Sequence, residues 1–84
     1  MNTNNNEYLL TFELDLKNET LEIHGNRRGL EKLSIIINTI LSNTTNDHVH
    51  LMTPDWGGNE LSKEKQCSQN ELIHHVKIFN WSNE

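Results

Sequence analysis

Hydrophobic residues recur at two different spacings along this chain, and the change of spacing limits the folds open to it. From Tyr8 to Leu16, apolar residues alternate with polar ones, which is the pattern of a half-buried β-strand. Thr20 to His24 repeats the alternation after a short polar turn, so the two segments should form a β-hairpin. Two alternate acidic residues on the first strand, Glu13 and Asp15, indicate a solvent-facing side.

After Gly25 the spacing becomes helical, and it predicts a helix that ends near Ser42. Asn26 is suited to cap the helix N-terminus, because its side chain can accept a hydrogen bond from a free backbone amide. For Gly29, in the first turn, the sequence offers no reason beyond close packing. The apolar stripe expected to face the sheet is formed by Leu30, Leu33, Ile36, Ile37, Ile40 and Leu41.

Two further alternating segments, Asp47 to Met52 and Leu72 to Trp81, follow the helix. The order β-β-α-β-β predicts an α+β fold, in which the helix packs on one face of a four-stranded, mostly antiparallel sheet. The pattern does not determine the order of the strands. Eighty-four residues suit one domain, expected over residues 7–82 behind a disordered leader at residues 1–6.

The connection between the last two predicted strands is unusually long. It runs for nineteen residues, from Thr53 to Glu71, whereas a hairpin loop usually has about two to five. Its first half contains Trp56 followed by Gly57 and Gly58, a composition typical of a built turn. Its second half, from Ser62 to Asn70, is polar and is expected to be mobile.

Composition disfavours several classes of function. Twelve acidic and seven basic residues give a net charge of −5, which disfavours nucleic acid and anionic membranes as partners and favours a basic protein. The sequence shows neither an apolar run long enough to span a bilayer nor a signal peptide, so the cytoplasm is the expected location. Cys67 is the single cysteine, so no internal disulfide can form.

The sequence also lacks the common motifs for catalysis and for cofactor binding. It has no nucleophile elbow, no dinucleotide-binding glycine motif and no phosphate-binding loop, so we expect a binding protein without a cofactor and not an enzyme. A small metal-binding or ligand-binding module is the alternative, because His48, His50 and His75 should share one face, with His24 across the sheet. His74, on the opposite face, is expected to be buried and hydrogen-bonded.

The predicted sheet face that the helix leaves uncovered is richer in rings than a solvated face should be. Trp, Met and His suit the centres of interfaces, because they supply contact area with few charges. Together with Trp56, this face predicts a partner-binding surface, and pairing of two copies through it is the structural alternative. The side chains expected on it are His48, His50, Met52, Ile73, His75, Phe79 and Trp81.

Three sequence elements in order resemble a known family. They are His48-Val49-His50, then Trp56-Gly57-Gly58, then Lys77-Ile78 followed by Trp81. With the strand, glycine and helix start at residues 21–30, they resemble the immunity protein 32 family over roughly residues 20–81. The resemblance implies a small α+β bacterial protein, encoded beside a polymorphic toxin, that binds and blocks the toxin domain. The expected partner-binding residues are His48, His50, Trp56, Gly57, Gly58, His75, Phe79 and Trp81.

Overall fold

The computed structural model describes residues 7–81, in which a helix packs against antiparallel strands, so the predicted α+β class is confirmed. The predicted leader, residues 1–6, and the predicted last residue of the domain, residue 82, lie outside the described residues. The elements are β1 (Leu10–Asp15), β2 (Thr20–Gly25), α1 (Arg27–Leu41), β3 (Asp47–Met52), a 3₁₀ helix (Pro54–Trp56), β4 (Glu71–Ile73) and β5 (His75–Asn80).

The strands form two sheets, so the prediction of a single four-stranded sheet is wrong. β1 is the central strand of a three-stranded sheet with the order β2-β1-β4, and β3 pairs with β5 in a two-stranded sheet. All three pairings are antiparallel. The last predicted strand is present but is broken at His74, so its first part joins one sheet and its second part joins the other.

The break at His74 reverses the alternation along the last strand. Ile73 lies opposite Phe12 and packs against the core, although the alternation had placed it on the outer face. Val76, beyond the break, also packs against the core, as predicted. Thr53 fixes the break, because its backbone nitrogen lies 3.0 Å from the carbonyl oxygen of His74 and its hydroxyl lies 2.7 Å from Nδ1 of the same residue. His74 is hydrogen-bonded, as expected, but only half-buried.

The predicted cap of the helix is confirmed. Oδ1 of Asn26 accepts a hydrogen bond from the backbone nitrogen of Gly29 at 2.9 Å and from that of Leu9 at 3.1 Å. The cap therefore ties the start of α1 to the chain that enters β1. Within residues 7–81, no helix combines the length and the apolar character that crossing a membrane requires.

Gly29 is buried against the chain before β1, and this contact explains the glycine. A Cβ at this position would lie 1.7 Å from the carbonyl oxygen of Leu9, which is backbone. We expect Gly29→Ala to lower the free energy of unfolding by about 1–3 kcal/mol, measured by urea denaturation, although Ala is normally the better helix former. Ser34→Ala, at an exposed position of the same helix, should stay within about 0.5 kcal/mol of wild type. An unchanged midpoint for Gly29→Ala would contradict this packing.

The buried side of α1 is narrower than the predicted apolar stripe. Ile40 is buried, and Leu33 and Ile36 pack against the core. The rest of the predicted stripe is exposed, namely Leu30, Ile37 and Leu41. The residues that form the buried core beneath the helix are Leu10, Phe12, Leu51 and Leu61.

The long connection between β3 and β4 is hydrogen-bonded to the rest of the protein in both halves, although its polar second half did not predict such contacts. Leu61 is buried in the core, and Tyr8 donates a hydrogen bond from its hydroxyl to the carbonyl oxygen of Glu60. The backbone nitrogen of Ser62 donates to the carbonyl oxygen of Leu10 at 2.7 Å, and the Ser62 hydroxyl accepts from the Leu10 nitrogen at 3.0 Å.

The carboxylate of Glu13 organises the second half of this connection. Its Oε2 accepts from the Gln66 nitrogen at 2.8 Å and from the Thr11 hydroxyl at 2.7 Å, and its Oε1 accepts from the Cys67 nitrogen at 3.2 Å and from Asn70 Nδ2 at 3.0 Å. Burial raises the pKa of Glu13, but these hydrogen bonds together lower it by more. The pKa therefore lies below its ordinary value, and the group is ionised at neutral pH. Glu13 is fully buried, so its assignment to a solvent-facing side is wrong.

Candidate functional site

A continuous series of aromatic and imidazole rings, here called the ring row, extends from the open face of the β3/β5 sheet to the adjoining 3₁₀ helix and the break at His74. Along β3, His48 and His50 are exposed, whereas Val49 is half-buried and Leu51 is buried. The predicted alternation is therefore confirmed, and the histidines lie on the side away from the core. The rings of the row are those of Trp81, Phe79, His48, His50, His75, Trp56 and His74.

The register of β3 against β5 brings the central rings of the row together. His48 pairs with Phe79, and their rings stack with centroids 5.2 Å apart and planes 23° apart. The ring of His48 also meets that of His50 edge-on, at 4.9 Å between centroids. Met52 pairs with His75, which stacks on His50 at 5.0 Å. Nδ1 of His50 and Nε2 of His75 lie 2.8 Å apart and form a hydrogen bond.

A tryptophan lies at either end of this centre. Trp81 stacks on Phe79 with centroids 5.5 Å apart and planes 3° apart. Trp56 lies beside His74 and His75, with centroid distances of 6.1 and 6.0 Å. Trp81 is 68% exposed and Trp56 is 58% exposed. The row thus presents large apolar area to the solvent at both ends.

The 3₁₀ helix after β3 holds Trp56 in place. The carbonyl oxygen of Thr53 accepts hydrogen bonds from the backbone nitrogens of Trp56 at 2.9 Å and Gly58 at 3.0 Å. Gly57 has a φ of 93°, a left-handed conformation that favours glycine. A Cβ at Gly58 would lie 2.7 Å from a backbone oxygen of β3. Both glycines are therefore needed by the turn that presents Trp56.

The electrostatics of the face favour a neutral imidazole at its centre. The pKa of His50 lies below its ordinary value, because neighbouring groups displace water from the ring and because positive charge on His48, His75 or Lys77 would repel its proton. Lys77 is exposed and pairs with His50, so it adds a cation to the same face. A neutral ring at His50 is consistent with its hydrogen bond to His75 and with close packing of the rings.

A second cluster of donor atoms lies on the other sheet. Glu13, Glu22 and His24 bring one ligand atom each to within 4.8 Å of one another. Nε2 of His24 lies 2.8 Å from Oε1 of Glu22, so His24 does not join the ring row as the metal-binding alternative suggested. Each carboxylate oxygen of Glu13 already accepts two hydrogen bonds from the protein. The Glu13 oxygens of this cluster are therefore already used as acceptors by the connection between β3 and β4.

The structure brings six of the eight predicted partner-binding side chains together in the ring row, and it places the two glycines in the turn beside it. That these residues bind a partner stays a prediction. The prediction missed His74, which joins the row only because the last strand is broken there. It also left out Lys77, although the alternation already placed that residue on the outer face.

A family model described as Immunity protein 32 matches residues 20–77, well over half of the chain. The matched segment begins at the first residue of β2 and ends within β5, so it includes β3 and the turn that holds Trp56. It ends before Phe79 and Trp81, which the resemblance seen in the sequence had included. No curated protein and no solved structure matches the sequence.

Proposed function

Because the chain belongs to the immunity protein 32 family, we propose that it neutralises a cognate bacterial toxin domain by binding it through the ring row. The observation that carries the proposal is the contiguity of the row, in which seven rings follow one another along the open face of the β3/β5 sheet and onto the adjoining 3₁₀ helix and strand break. Contiguous exposed apolar surface of this kind is typical of interaction sites. Trp is also one of the residues enriched among the energetic anchors of interfaces.

The proposed mechanism is masking of the toxin's active site and involves no chemistry by the immunity protein. The rings are stacked on one another and carried by paired strands, so little side-chain entropy would be lost when a partner binds. The backbone at Gly57, where a Cβ would meet open space, would allow the partner to approach closely beside Trp56. The protein would act in the cytoplasm as a single domain over residues 7–82, without a cofactor and without enzymatic activity.

Charge around the row supports a basic toxin surface as the partner. The chain has a net charge of −5, and Asp55 adjoins Trp56 in the sequence. The acidic net charge would speed the encounter with a basic domain, and this effect would weaken as salt is added. The ring row itself would supply most of the contact energy, since neutral rings can be desolvated at little cost.

A metal-binding module is the second candidate, and the contact between His50 and His75 is the observation that favours it. Two imidazole nitrogens that lie 2.8 Å apart could reorient to share one zinc ion. Calorimetric titration with zinc separates the two candidates. Heat of binding that disappears in His50→Gln would support the metal site, whereas the toxin-binding proposal expects no such heat.

Co-expression with the toxin gene expected beside the gene of this chain tests the proposed function. Cells should survive when the wild-type protein is present, and Phe79→Asp should abolish protection because it places a charge inside the ring row. Ile35→Asp is the matched control, since Ile35 is an exposed apolar residue on α1, away from the row. Both purified variants should keep the wild-type free energy of unfolding to within about 1 kcal/mol. Equal protection by the two variants would contradict the ring row as the binding surface.

A further inference from the structure

The sheet that carries most of the ring row has an open edge along β5. β5 pairs with β3 on one side, and no strand of residues 7–81 lies on its other side. In an antiparallel pair, the backbone groups of successive residues point alternately toward the neighbouring strand and away from it. The backbone nitrogen of Thr53 bonds the carbonyl oxygen of His74, which fixes this alternation in the register of the two strands. The residues of β5 whose backbone groups point away from β3, here called the β5 edge, are therefore His75, Lys77 and Phe79.

The β5 edge is unoccupied, whereas the outer edge of β3 is largely closed. Among residues 7–81, no hydrogen bond from another segment reaches the backbone groups of the β5 edge. On β3, by contrast, the Met52 nitrogen donates to Oε1 of Glu60 at 3.1 Å, and the Met52 carbonyl oxygen accepts from the Leu61 nitrogen at 3.2 Å. The His48 nitrogen donates to Oδ1 of Asp47 at 2.8 Å. An added strand would therefore find its backbone partners along β5.

The β5 edge is continuous with the ring row. His75 and Phe79 supply backbone groups to the edge and side-chain rings to the row. Residues that lie directly opposite one another in neighbouring strands point their side chains to the same face of the sheet. Alternate side chains of an added strand would therefore lie beside the rings. One extended segment could thus contact the edge and the row together.

Lys77, at the centre of the β5 edge, limits which segment fits. Its side chain is exposed on the face of the ring row, where it pairs with His50 across the sheet. Two copies of β5 that paired along the whole edge would put Lys77 opposite its own copy, and directly opposed like charges are destabilising. An acidic residue opposite Lys77 would instead be favourable. The edge therefore disfavours a second copy and fits a segment of a different protein.

We propose that an extended segment of the toxin pairs with the β5 edge, with an acidic residue opposite Lys77 and apolar residues opposite His75 and Phe79. This inference rests on the proposed function, because it specifies how the toxin would contact the ring row. In strand addition of this kind, backbone hydrogen bonds supply affinity and alternate side chains supply specificity. The acidic residue is a local feature and leaves the basic net charge expected of the toxin unchanged.

Amide hydrogen exchange of the full chain, with and without the toxin domain, tests the proposal. In the free chain, the amides of Lys77 and Phe79 should exchange fast, because they have no acceptor in the sheet. Saturation with the toxin domain should slow the exchange of both amides at least about tenfold. The matched control is the open edge of β2, where the amides of Leu21 and Ile23 point away from β1. Their exchange rates should stay unchanged.

The exchange result separates this inference from the proposed function. A complex in which the amides of Lys77 and Phe79 exchange as fast as in the free chain would overturn strand addition. The ring row would still be the binding surface in that case if Phe79→Asp abolished binding. A chain that did not bind the toxin domain at all would contradict the proposed function as well.

Variants of Lys77 provide a second test, by calorimetric titration with the toxin domain. Lys77→Pro lacks the backbone N–H, and proline is tolerated on an edge strand where that group faces solvent. Its Kd should be at least about tenfold higher than that of Lys77→Ala, which also lacks the lysine side chain but keeps the donor. Lys77→Glu should bind more weakly than Lys77→Ala, because it would oppose the acidic residue. Equal Kd values for the proline and alanine variants, or tighter binding by Lys77→Glu, would overturn the proposal. If Lys77→Pro does not fold, the exchange measurement decides.

Discussion

Replacement of Glu13 by alanine should lower the free energy of unfolding by about 3–5 kcal/mol, because it removes a buried acceptor that four donors share, two of them buried. The Thr11 hydroxyl, the backbone nitrogens of Gln66 and Cys67, and Nδ2 of Asn70 all donate to this carboxylate. A chain of this length has a total stability of roughly 4–13 kcal/mol, so the variant should be close to unfolding. Urea denaturation measures the loss.

Two controls separate the role of Glu13 from a general effect of acidic residues on β1. Asp15→Ala should change stability by less than about 1 kcal/mol, since Asp15 bonds only Asn18 in an exposed turn. Glu13→Gln keeps the shape of the side chain and one acceptor oxygen. Its decrease in the free energy of unfolding should therefore lie between those of the two alanine variants. If Glu13→Ala and Asp15→Ala unfolded at the same urea concentration, the proposed anchoring of the loop would be contradicted.

The depressed pKa of Glu13 also fixes the sign of an acid effect. The folded state favours the ionised form of Glu13. The contribution of Glu13 to the free energy of unfolding is therefore fully present above the ordinary carboxyl pKa of 4.5. It is lost as the pH falls through the lower pKa of the folded state. Glu13→Gln should therefore show a weaker decline of stability below pH 4.5 than wild type does.

Replacement of Trp56 by alanine should weaken toxin binding by at least about 2 kcal/mol, a factor of about 30 in Kd. The indole is 58% exposed, yet the 3₁₀ helix and the rings of His74 and His75 hold it in place. A fixed aromatic side chain loses little entropy on binding and buries a large area. Calorimetric titration of the toxin domain with each variant measures the change.

The stability of the Trp56→Ala variant decides how this result is interpreted. Because Trp56 lies outside the buried core, its removal should shift the free energy of unfolding by less than about 1 kcal/mol. Ile35→Ala, which truncates a residue of similar exposure on α1, should leave toxin affinity unchanged. A Trp56→Ala variant that melts earlier and keeps full affinity would show that Trp56 is structural.

Local patterns in the sequence were sufficient to predict the helix, its Asn26 cap and the orientation of β3. Alternation is set by the strand itself, so the exposure of His48 and His50 followed from their spacing to Val49 and Leu51. The convergence of Trp81 and Phe79 with these histidines required only that β3 and β5 pair. Most of the ring row was therefore predictable before its register was known.

Two features depend on contacts between distant residues, and the sequence did not reveal them. The last strand breaks because Thr53 bonds both the carbonyl oxygen and the ring of His74, twenty-one positions away. The carboxylate of Glu13 is buried because residues 66–70 return to cover it. Neither contact has a signature in the local alternation. An acidic residue on a strand normally predicts solvent, which is why Glu13 was misassigned.

The helix shows a different limit of sequence patterns. Its apolar stripe was identified correctly, but only part of it faces the core, and Leu30 and Leu41 remain exposed. A hydrophobic stripe indicates which residues avoid water and does not show whether the covering surface belongs to the same chain.

The most direct test of the central claim uses the two tryptophans, since the chain has only these two and both lie in the ring row. In a nitrogen-15 spectrum, the indole N–H signals of Trp56 and Trp81 report on the two ends of the row. Addition of the unlabelled toxin domain should shift both signals, together with backbone signals of β3 and β5, and should leave the exposed side of α1 unchanged. Toxin binding with both indole signals unmoved and the largest shifts on α1 and β2 would contradict the account.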